Sequence, residues 1–167
     1  MTSAPGDATQ YVRTRCQADT SPLRFYACGG DGTLNEVING AAGFDHAAVG
    51  CYPCGSGNDF IKYFGGRKFF TDLGALMSGH EQRVDMIRVN DRYAINVVNM
   101  GFEAKTAARM SRFRHLPLMH GYRAYYGAIV LTLIDGVRHR CKIAVDGEMM
   151  MDGNILLCTL ANGDYVG

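Results

Sequence analysis

Two short glycine-rich segments of the sequence carry the residue types that bind phosphate. They are residues 29–33 (GGDGT) and residues 55–59 (GSGND). Glycine lets a ligand approach the main chain without a Cβ in the way, and it permits positive φ values. A helix that begins after such a turn presents unpaired N–H groups and the positive end of its dipole. The two segments therefore predict an anion site, to which the hydroxyls of Thr33 and Ser56 can add donors.

A carboxylate occurs in each of the two turns, at Asp31 and Asp59. A carboxylate next to a phosphate repels it, so a divalent cation or a hydroxyl or amide network is expected between them. The alternative is structural, because Asp is favoured as a helix cap and Asp31 could have that role alone. The occurrence of an Asp in both turns favours a ligand site.

The flanking residues predict the elements that position these turns. The apolar runs at 23–28 and 47–52 indicate strands, and residues 34–42 indicate the helix that connects them. Parallel strands need a crossover of this kind, which is right-handed in nearly all cases. The fold class is therefore α/β with a parallel sheet, and both turns open at its carboxyl edge, where α/β proteins bind ligands.

The two motifs, in their full form, also carry a resemblance. Residues 29–40 (GGDGTLNEVING) and 52–60 (YPCGSGNDF) resemble the catalytic domain of the diacylglycerol kinase and sphingosine kinase superfamily, in particular its soluble bacterial members of the diacylglycerol kinase type. GGDGT turns are also found in NAD kinases and phosphofructokinases, whereas the second motif is typical of the lipid kinases. Ser56 replaces the Thr of many bacterial members and keeps the hydroxyl.

The resemblance implies transfer of the γ-phosphoryl group of ATP to a lipid hydroxyl, such as that of diacylglycerol, with ATP and Mg²⁺ as cofactors. It implies three catalytic carboxylates, Asp31, Asp59 and Asp85, in a network with Mg²⁺ and water. Without the resemblance, Asp85 reads equally well as a surface charge on an edge strand. The implied nucleotide-binding residues are Thr2, Gly29, Gly30, Asp31, Gly32, Thr33, Leu34, Asn35, Glu36, Gly55, Ser56, Gly57 and Asn58.

Two other classes of function remain open at this point. One is an NAD kinase-like or other small-molecule kinase. The other is a non-catalytic module that binds a nucleotide or a lipid. No cluster of His and Cys predicts a protein-held metal such as zinc, which needs four ligands.

The resemblance divides the chain into a partial nucleotide-binding α/β domain (1–80) and the start of a β-sandwich lipid domain with inserted helices (82–167). In the second domain, alternation predicts strands at 83–89 and 93–100, joined by a turn at Asn90-Asp91. Helices are expected at 104–111 and 122–135, and a second hairpin has strands at 140–145 and 154–160. The apolar helix 122–135 is predicted to lie in the core, with a role in lining a lipid pocket as the alternative.

In the resembling family, further segments precede and follow the stretch that this chain covers, including the acidic general base. We therefore expect the 167 residues alone to transfer little or no phosphate. A sheet without its first strand has an exposed edge, which favours self-association into a homo-oligomer.

Composition and charge indicate which partners and which cellular location to expect. The chain has 167 residues, 47% of them apolar, and a net charge of +1, which does not indicate a nucleic-acid partner. Its six cysteines, including Cys51 and Cys54 at a predicted strand end, are expected to be reduced thiols in a cytoplasmic protein. No apolar run is long enough for a transmembrane segment. The lipid partner would be met at the inner membrane surface, and the basic residues around 109–123 could bind anionic headgroups or form an ordinary solvated loop.

Overall fold

The chain divides into two compact units. The computed structural model describes residues 2–113, 122–136 and 138–163. One unit comprises Met1–Val97 with Ala161–Gly167, and the other comprises Val98–Leu160. The boundary expected near residue 81 lies inside the first unit, and the division into a nucleotide domain and a lipid domain stays a prediction.

The first unit contains the predicted strand–helix–strand arrangement. Strands β1 and β2 are parallel, with Leu23 opposite Ala47 and Gly29 opposite Pro53. This confirms the crossover inferred from the glycine turns, although the connecting helix α2 begins three residues earlier than predicted. The elements of this unit are α1 (Asp7–Ala18), β1 (Leu23–Gly29), α2 (Asp31–Ala41), β2 (Ala47–Pro53), α3 (Asp59–Tyr63), α4 (Leu73–Ser78), β3 (Ile87–Val89) and β4 (Arg92–Ala94).

The core of the first unit lies between its two long helices and the parallel strands. Apolar residues recur at helical spacing on one face of each helix, so that each helix buries one stripe. Gly40 on α2 lets α1 approach closely, because a Cβ there would lie 2.7 Å from the Thr9 carbonyl oxygen. The buried residues are Ala8, Val12, Cys16, Ala27, Leu34, Val37, Ile38, Ala41, Cys51 and Ile61.

The first predicted hairpin forms, but its strands are shorter than expected. β3 pairs antiparallel with β4 through the Asn90-Asp91 turn, and Asn90 has a φ of 52°. Residues 83–86 have no regular secondary structure, and the predicted strand 93–100 is interrupted by a bend at residues 95–96. The alternation of residue types therefore overestimated the length of both strands. The pattern carries no information about where the backbone stops pairing with a neighbouring strand.

The second unit contains two helices and two strand pairs. Strands β6 and β7 are antiparallel, with a bulge between Ile143 and Ala144, and β5 pairs with β8. The described strands form four two-stranded sheets, so the expected sandwich stays a prediction. The elements are β5 (Val97–Gly101), α5 (Phe102–Phe113), α6 (Tyr122–Ile134), β6 (His139–Val145), β7 (Glu148–Ile155) and β8 (Leu157–Ala161).

The second hairpin returns earlier than predicted. Its returning strand begins at Glu148 rather than at Asn154, and the predicted strand 154–160 is broken at Leu156. At this break, the Leu156 carbonyl oxygen accepts a hydrogen bond of 2.9 Å from the N–H of Phe102. Gly101, just before α5, has a φ of 84°, and a side chain there would collide with the Leu156 carbonyl oxygen, so the position requires glycine.

Helix α6 differs from the core helix that its apolar sequence predicts. Ala128 and Thr132 are fully buried, and Thr132 accepts a hydrogen bond of 3.2 Å from Arg109 of α5. Leu133 is 53% exposed and Ile134 is 73% exposed. The prediction of a buried apolar helix is wrong for the described residues, because α6 contacts α5 through its small side chains and leaves its large ones at the surface.

Two remaining expectations concern membranes. Most of the basic cluster, residues 114–121, lies outside the described residues. None of the described helices combines the length and the apolar character needed to cross a bilayer.

Candidate functional site

The two glycine turns lie in direct backbone contact at the carboxyl ends of β1 and β2. The Gly29 carbonyl oxygen accepts hydrogen bonds from the N–H of Cys54, at 2.8 Å, and of Gly55, at 3.3 Å. A Cβ on Gly30 would lie 3.1 Å from the Gly55 Cα, and a Cβ on Gly55 would overlap with Gly30. Side chains are excluded at this contact, so the turns form one double turn.

Asp31 connects the first turn to the helix that follows the second. Its Oδ1 accepts a hydrogen bond of 2.7 Å from the N–H of Asp59, the first residue of α3. The other oxygen lies against Gly57, where a Cβ would approach it to 2.8 Å. Asp31 therefore caps a helix, as one interpretation of the sequence proposed, but the helix is α3 rather than its own α2.

Asn58 fixes the shape of the second turn. Its backbone is left-handed, with φ 53° and ψ 51°, a conformation that Asn adopts more readily than most residues. Its side-chain amide donates to the Gly55 carbonyl oxygen at 2.5 Å, and its Oδ1 accepts from the Gly55 N–H at 3.2 Å. The side chain thus closes the turn on itself.

Asp59 is already paired with a cation from its own helix. Its Oδ1 lies 2.5 Å from Lys62 Nζ, and the Asp59 side chain is 19% exposed. The ammonium group compensates the charge that a half-buried carboxylate would otherwise bring next to an anion.

The start of α2 has unsatisfied donors. The first hydrogen bond within this helix runs from the Leu34 N–H to the Gly30 carbonyl oxygen, at 3.0 Å. The N–H groups of Asp31, Gly32 and Thr33 donate to no acceptor among the described residues. Gly30, the N-cap residue, has no side chain to cap the helix. An anion at this terminus would therefore meet free donors and the positive end of the dipole.

A small cavity of about 10 Å³ lies beneath the double turn, roughly the space of one water molecule. Burial, with a contribution from the Asp31 charge, raises the pKa of the Cys51 thiol at its floor to about 11. This volume is far too small for a nucleotide. The lining residues are Gly29, Gly30, Asp31, Leu34, Cys51, Pro53, Asn58, Phe60 and Ile61.

The other predicted nucleotide-binding residues are less directly placed. Leu34 belongs to the core, and Asn35 accepts a hydrogen bond of 3.3 Å from the Asn39 side chain. The Glu36 carbonyl oxygen accepts a hydrogen bond of 2.9 Å from Thr9, one turn further along α2. Ser56 is exposed within the second turn, and Thr2 is exposed ahead of α1. Contact of these residues with a nucleotide stays a prediction.

Asp85 stands apart from the other two predicted catalytic carboxylates. It lies in the irregular segment before β3, its side chain is exposed, and it makes no hydrogen bond to Asp31 or Asp59. Among residues 2–113, 122–136 and 138–163, no group of three or more His, Cys, Asp or Glu side chains is placed to hold a metal ion. The structure therefore brings together Asp31 and Asp59 but not Asp85.

Three residues for which the sequence predicts no role make long-range contacts within the first unit. Asn39 makes two hydrogen bonds with the backbone of Tyr93, Arg24 binds Glu81 at 2.8 Å, and Asn162 donates to the carbonyl oxygen of Asp85 at 2.7 Å. Each contact joins residues more than 50 positions apart, so no local sequence pattern could predict it.

Cys51 and Cys54, the two cysteines at the end of β2, are not bonded to each other. Cys51 and Cys54 stand in a Cys-x-x-Cys arrangement, but Cys51 is buried in β2 and Cys54 is exposed after it. All six cysteines are free thiols, as expected from the sequence.

With this geometry established, comparison with known proteins defines the family. Residues 1–89 match the family model described as "Diacylglycerol kinase catalytic domain". The chain therefore belongs to the diacylglycerol kinase catalytic domain family, whose kinases use ATP.

Curated relatives agree with this membership. A Staphylococcus epidermidis protein named "Putative lipid kinase" is 33% identical over 168 residues, which cover 97% of this chain and 53% of the relative. A Staphylococcus aureus protein of the same name is 28% identical over 167 residues. The chain thus spans about half the length of the curated relatives it matches.

Solved structures support the fold. A crystal structure titled as a putative diacylglycerol kinase from Bacillus anthracis matches with a TM-score of 0.61 and 22% identity, covering 98% of this chain and 52% of that one. A second structure from the same organism gives a TM-score of 0.61 at 24% identity.

Proposed function

We propose that this chain is part of an ATP-dependent lipid kinase that transfers the γ-phosphoryl group of ATP to a lipid hydroxyl, such as that of diacylglycerol. The observation that carries the proposal is the double turn. It combines two glycine backbones in contact with three N–H groups at the start of α2 that donate to no acceptor in the part of the chain that the structure describes. The names of the relatives support the lipid as the acceptor class.

The residues of the double turn fit a nucleotide phosphate. Gly32 leaves its surroundings open, since a Cβ there would meet nothing within 4 Å. The N–H groups of Asp31, Gly32 and Thr33 would donate to phosphate oxygens, and the Thr33 and Ser56 hydroxyls would add donors. When bound, ATP supplies the phosphoryl group, and the task of the protein is to position it and offset its charge.

A directly coordinated Mg²⁺ does not fit the described carboxylates. Asp31 already accepts from the Asp59 N–H, and Asp59 is paired with Lys62. With Asp85 exposed elsewhere, the three do not form a coordination set. Mg²⁺ would therefore reach the site only as the counter-ion of bound ATP.

Location and partners complete the proposal. The kinase would act in the cytoplasm, at the inner membrane surface where its lipid substrate resides. Strands β1 and β2 pair only with each other among the described residues, so both outer edges lack a strand partner. Such edges are templates for pairing with a second copy, which supports self-association.

Gly32→Ala tests the nucleotide site without damaging the fold. Apart from its chain neighbours and its own helix backbone, the new methyl group meets no atom of the described residues within 4 Å, and Ala in place of Gly stabilises a helix by about 1 kcal/mol. The wild type is expected to gain thermal stability on addition of ATP·Mg²⁺, by about 2.7 kcal/mol at 100 times the dissociation constant. In Gly32→Ala, this gain is expected to be largely lost, because the methyl group lies where a phosphate would approach.

The matched control is Gly153→Ala on β7, where a Cβ also meets nothing within 4 Å. It should keep the full response to ATP·Mg²⁺. An unchanged response in Gly32→Ala would remove the double turn as the nucleotide site. If NAD displaced ATP, the small-molecule kinase alternative would replace the lipid kinase, and phosphate transfer to diacylglycerol in mixed micelles would decide the acceptor directly.

A further inference from the structure

The segment that carries Asp85 has no secondary structure of its own. Residues 81–86 form neither helix nor strand, and Asp85 is exposed. At its start, the segment is anchored by Glu81, whose carboxylate accepts two hydrogen bonds from Arg24 on β1, at 3.1 and 2.8 Å. Its other end, next to Asp85, needs a separate anchor.

Asn162 supplies that anchor. Its side-chain amide donates one hydrogen bond to the Asp85 carbonyl oxygen, at 2.7 Å, and one to the Ile95 carbonyl oxygen, at 3.0 Å. Both hydrogens of the amide are therefore used on two backbone positions ten residues apart. The backbone N–H of Asn162 also donates to the Asn96 carbonyl oxygen, at 2.7 Å, which fixes the position of Asn162 itself.

The Ile95 end of this bridge belongs to a well-held part of the unit. Tyr93, two residues before it, is bound to α2 through the Asn39 side chain, which accepts from the Tyr93 N–H at 2.9 Å and donates to its carbonyl oxygen at 2.8 Å. Helix α2 begins at the double turn. A chain of side-chain-to-backbone hydrogen bonds thus runs from α2 through Asn39 to the hairpin, and through Asn162 to Asp85.

We propose that Asn162 is a positioning residue that holds the Asp85 segment in place for the kinase reaction. It acts on the Asp85 backbone and leaves the carboxylate free. Where it concerns catalysis, the proposal rests on the proposed function and on the prediction from the resemblance that Asp85 takes part in the kinase reaction, although Asp85 lies apart from Asp31 and Asp59.

The first test measures the tie without any ligand. Backbone ¹⁵N order parameters of residues 82–86 are compared in the wild type, Asn162→Ala and Asn162→Asp. We expect values typical of ordered backbone, near 0.8, to fall below about 0.6 in both variants. Asn162→Asp should have the larger effect, because a carboxylate oxygen would face two carbonyl oxygens in place of two N–H donors. The matched control is Asn99→Ala, which removes an Asn that accepts from Thr159 and touches neither Asp85 nor Ile95.

The second test asks whether the tie acts through Asp85. Binding of ATP·Mg²⁺ is titrated for Asn162→Ala, Asp85→Asn and the double variant. Each single change should weaken affinity about threefold to tenfold, and the double variant should be no weaker than the weaker single one. A double variant that shows the product of the two effects would overturn the proposal, as would order parameters in Asn162→Ala that equal those in Asn99→Ala. If the wild type binds no ATP·Mg²⁺, the proposed function fails, and the order parameters alone then decide whether Asn162 holds the segment.

Discussion

The double turn of the first unit and the β6–β7 hairpin of the second are both built from two strands and a glycine-containing turn, but they are held together differently. The double turn is crossed by hydrogen bonds from Asp31 and Asn58, and Cys51 and Ile61 are buried beneath it. The hairpin has a long antiparallel ladder with one bulge, yet Met149 and Met150 are 58% and 66% exposed. A long strand ladder is therefore no sign of a packed environment, and the irregular turns are the more constrained structure.

The largest difference between the double turn and the hairpin is expected when a glycine of each is replaced by alanine. Gly55→Ala places a methyl group on the backbone of Gly30, and because neither backbone can move without breaking the bonds to Gly29, we expect a loss of about 3 kcal/mol in unfolding free energy. Gly153→Ala in the hairpin should change it by less than about 0.5 kcal/mol. Urea denaturation of both variants measures the difference. Equal losses would mean that the two turns are not in the contact described.

Cys51 gives a pH dependence of stability. Its pKa is raised from 9.0 to about 11 in the folded chain, so above pH 9 the thiol ionises in the unfolded state but not in the folded state. The folded chain then holds the extra proton, and stability falls as pH rises from 9 to 11, by an amount that approaches about 2 kcal/mol. Cys51→Ser should lose most of this decline. An undiminished decline in that variant would assign it to other groups.

Substitutions of Asp31 and Asp135 compare the contribution of a helix-capping carboxylate to stability with that of an exposed ion pair, and the expected effects are smaller. Asp31→Ala removes the acceptor for the Asp59 N–H and should cost about 1 kcal/mol, whereas Asp31→Asn keeps an oxygen there and should cost less. In the second unit, Asp135 pairs with Arg109 and Lys105 but is 45% exposed, so Asp135→Ala should cost about 0.5 kcal/mol or less. Thermal midpoints of the three variants rank them. If Asp31→Asn is as unstable as Asp31→Ala, the charge matters and not the cap.

The sequence predicts local features of the structure well and long-range contacts poorly. Residue spacing located β1, β2 and both turns, because each depends on neighbours within a few positions. It placed α6 as a helix but misjudged its burial, which depends on whether α5 contacts the Ala128 face or the Leu133 face. The ties made by Asn39 and Asn162 could not be predicted, since an Asn amide has no local signature for a backbone partner more than 50 residues away.

Asp85 was predicted less well. The resemblance placed it in a group with Asp31 and Asp59, and the alternative was a surface charge on an edge strand. In the structure its side chain is exposed, as the alternative expected, but Asp85 precedes β3, which begins two residues later.

The hydrogen bond from the Asn162 N–H to the Asn96 carbonyl oxygen has a topological consequence. The chain leaves the first unit after Val97 and re-enters it at Ala161, and this bond holds the two crossing points side by side. The second unit is therefore an insertion within a discontinuous first one. Insertions between neighbouring ends tolerate changes in length, since nothing outside them must change register. We therefore expect changes of length within residues 98–160 to leave the hydrogen bonds of the double turn unchanged.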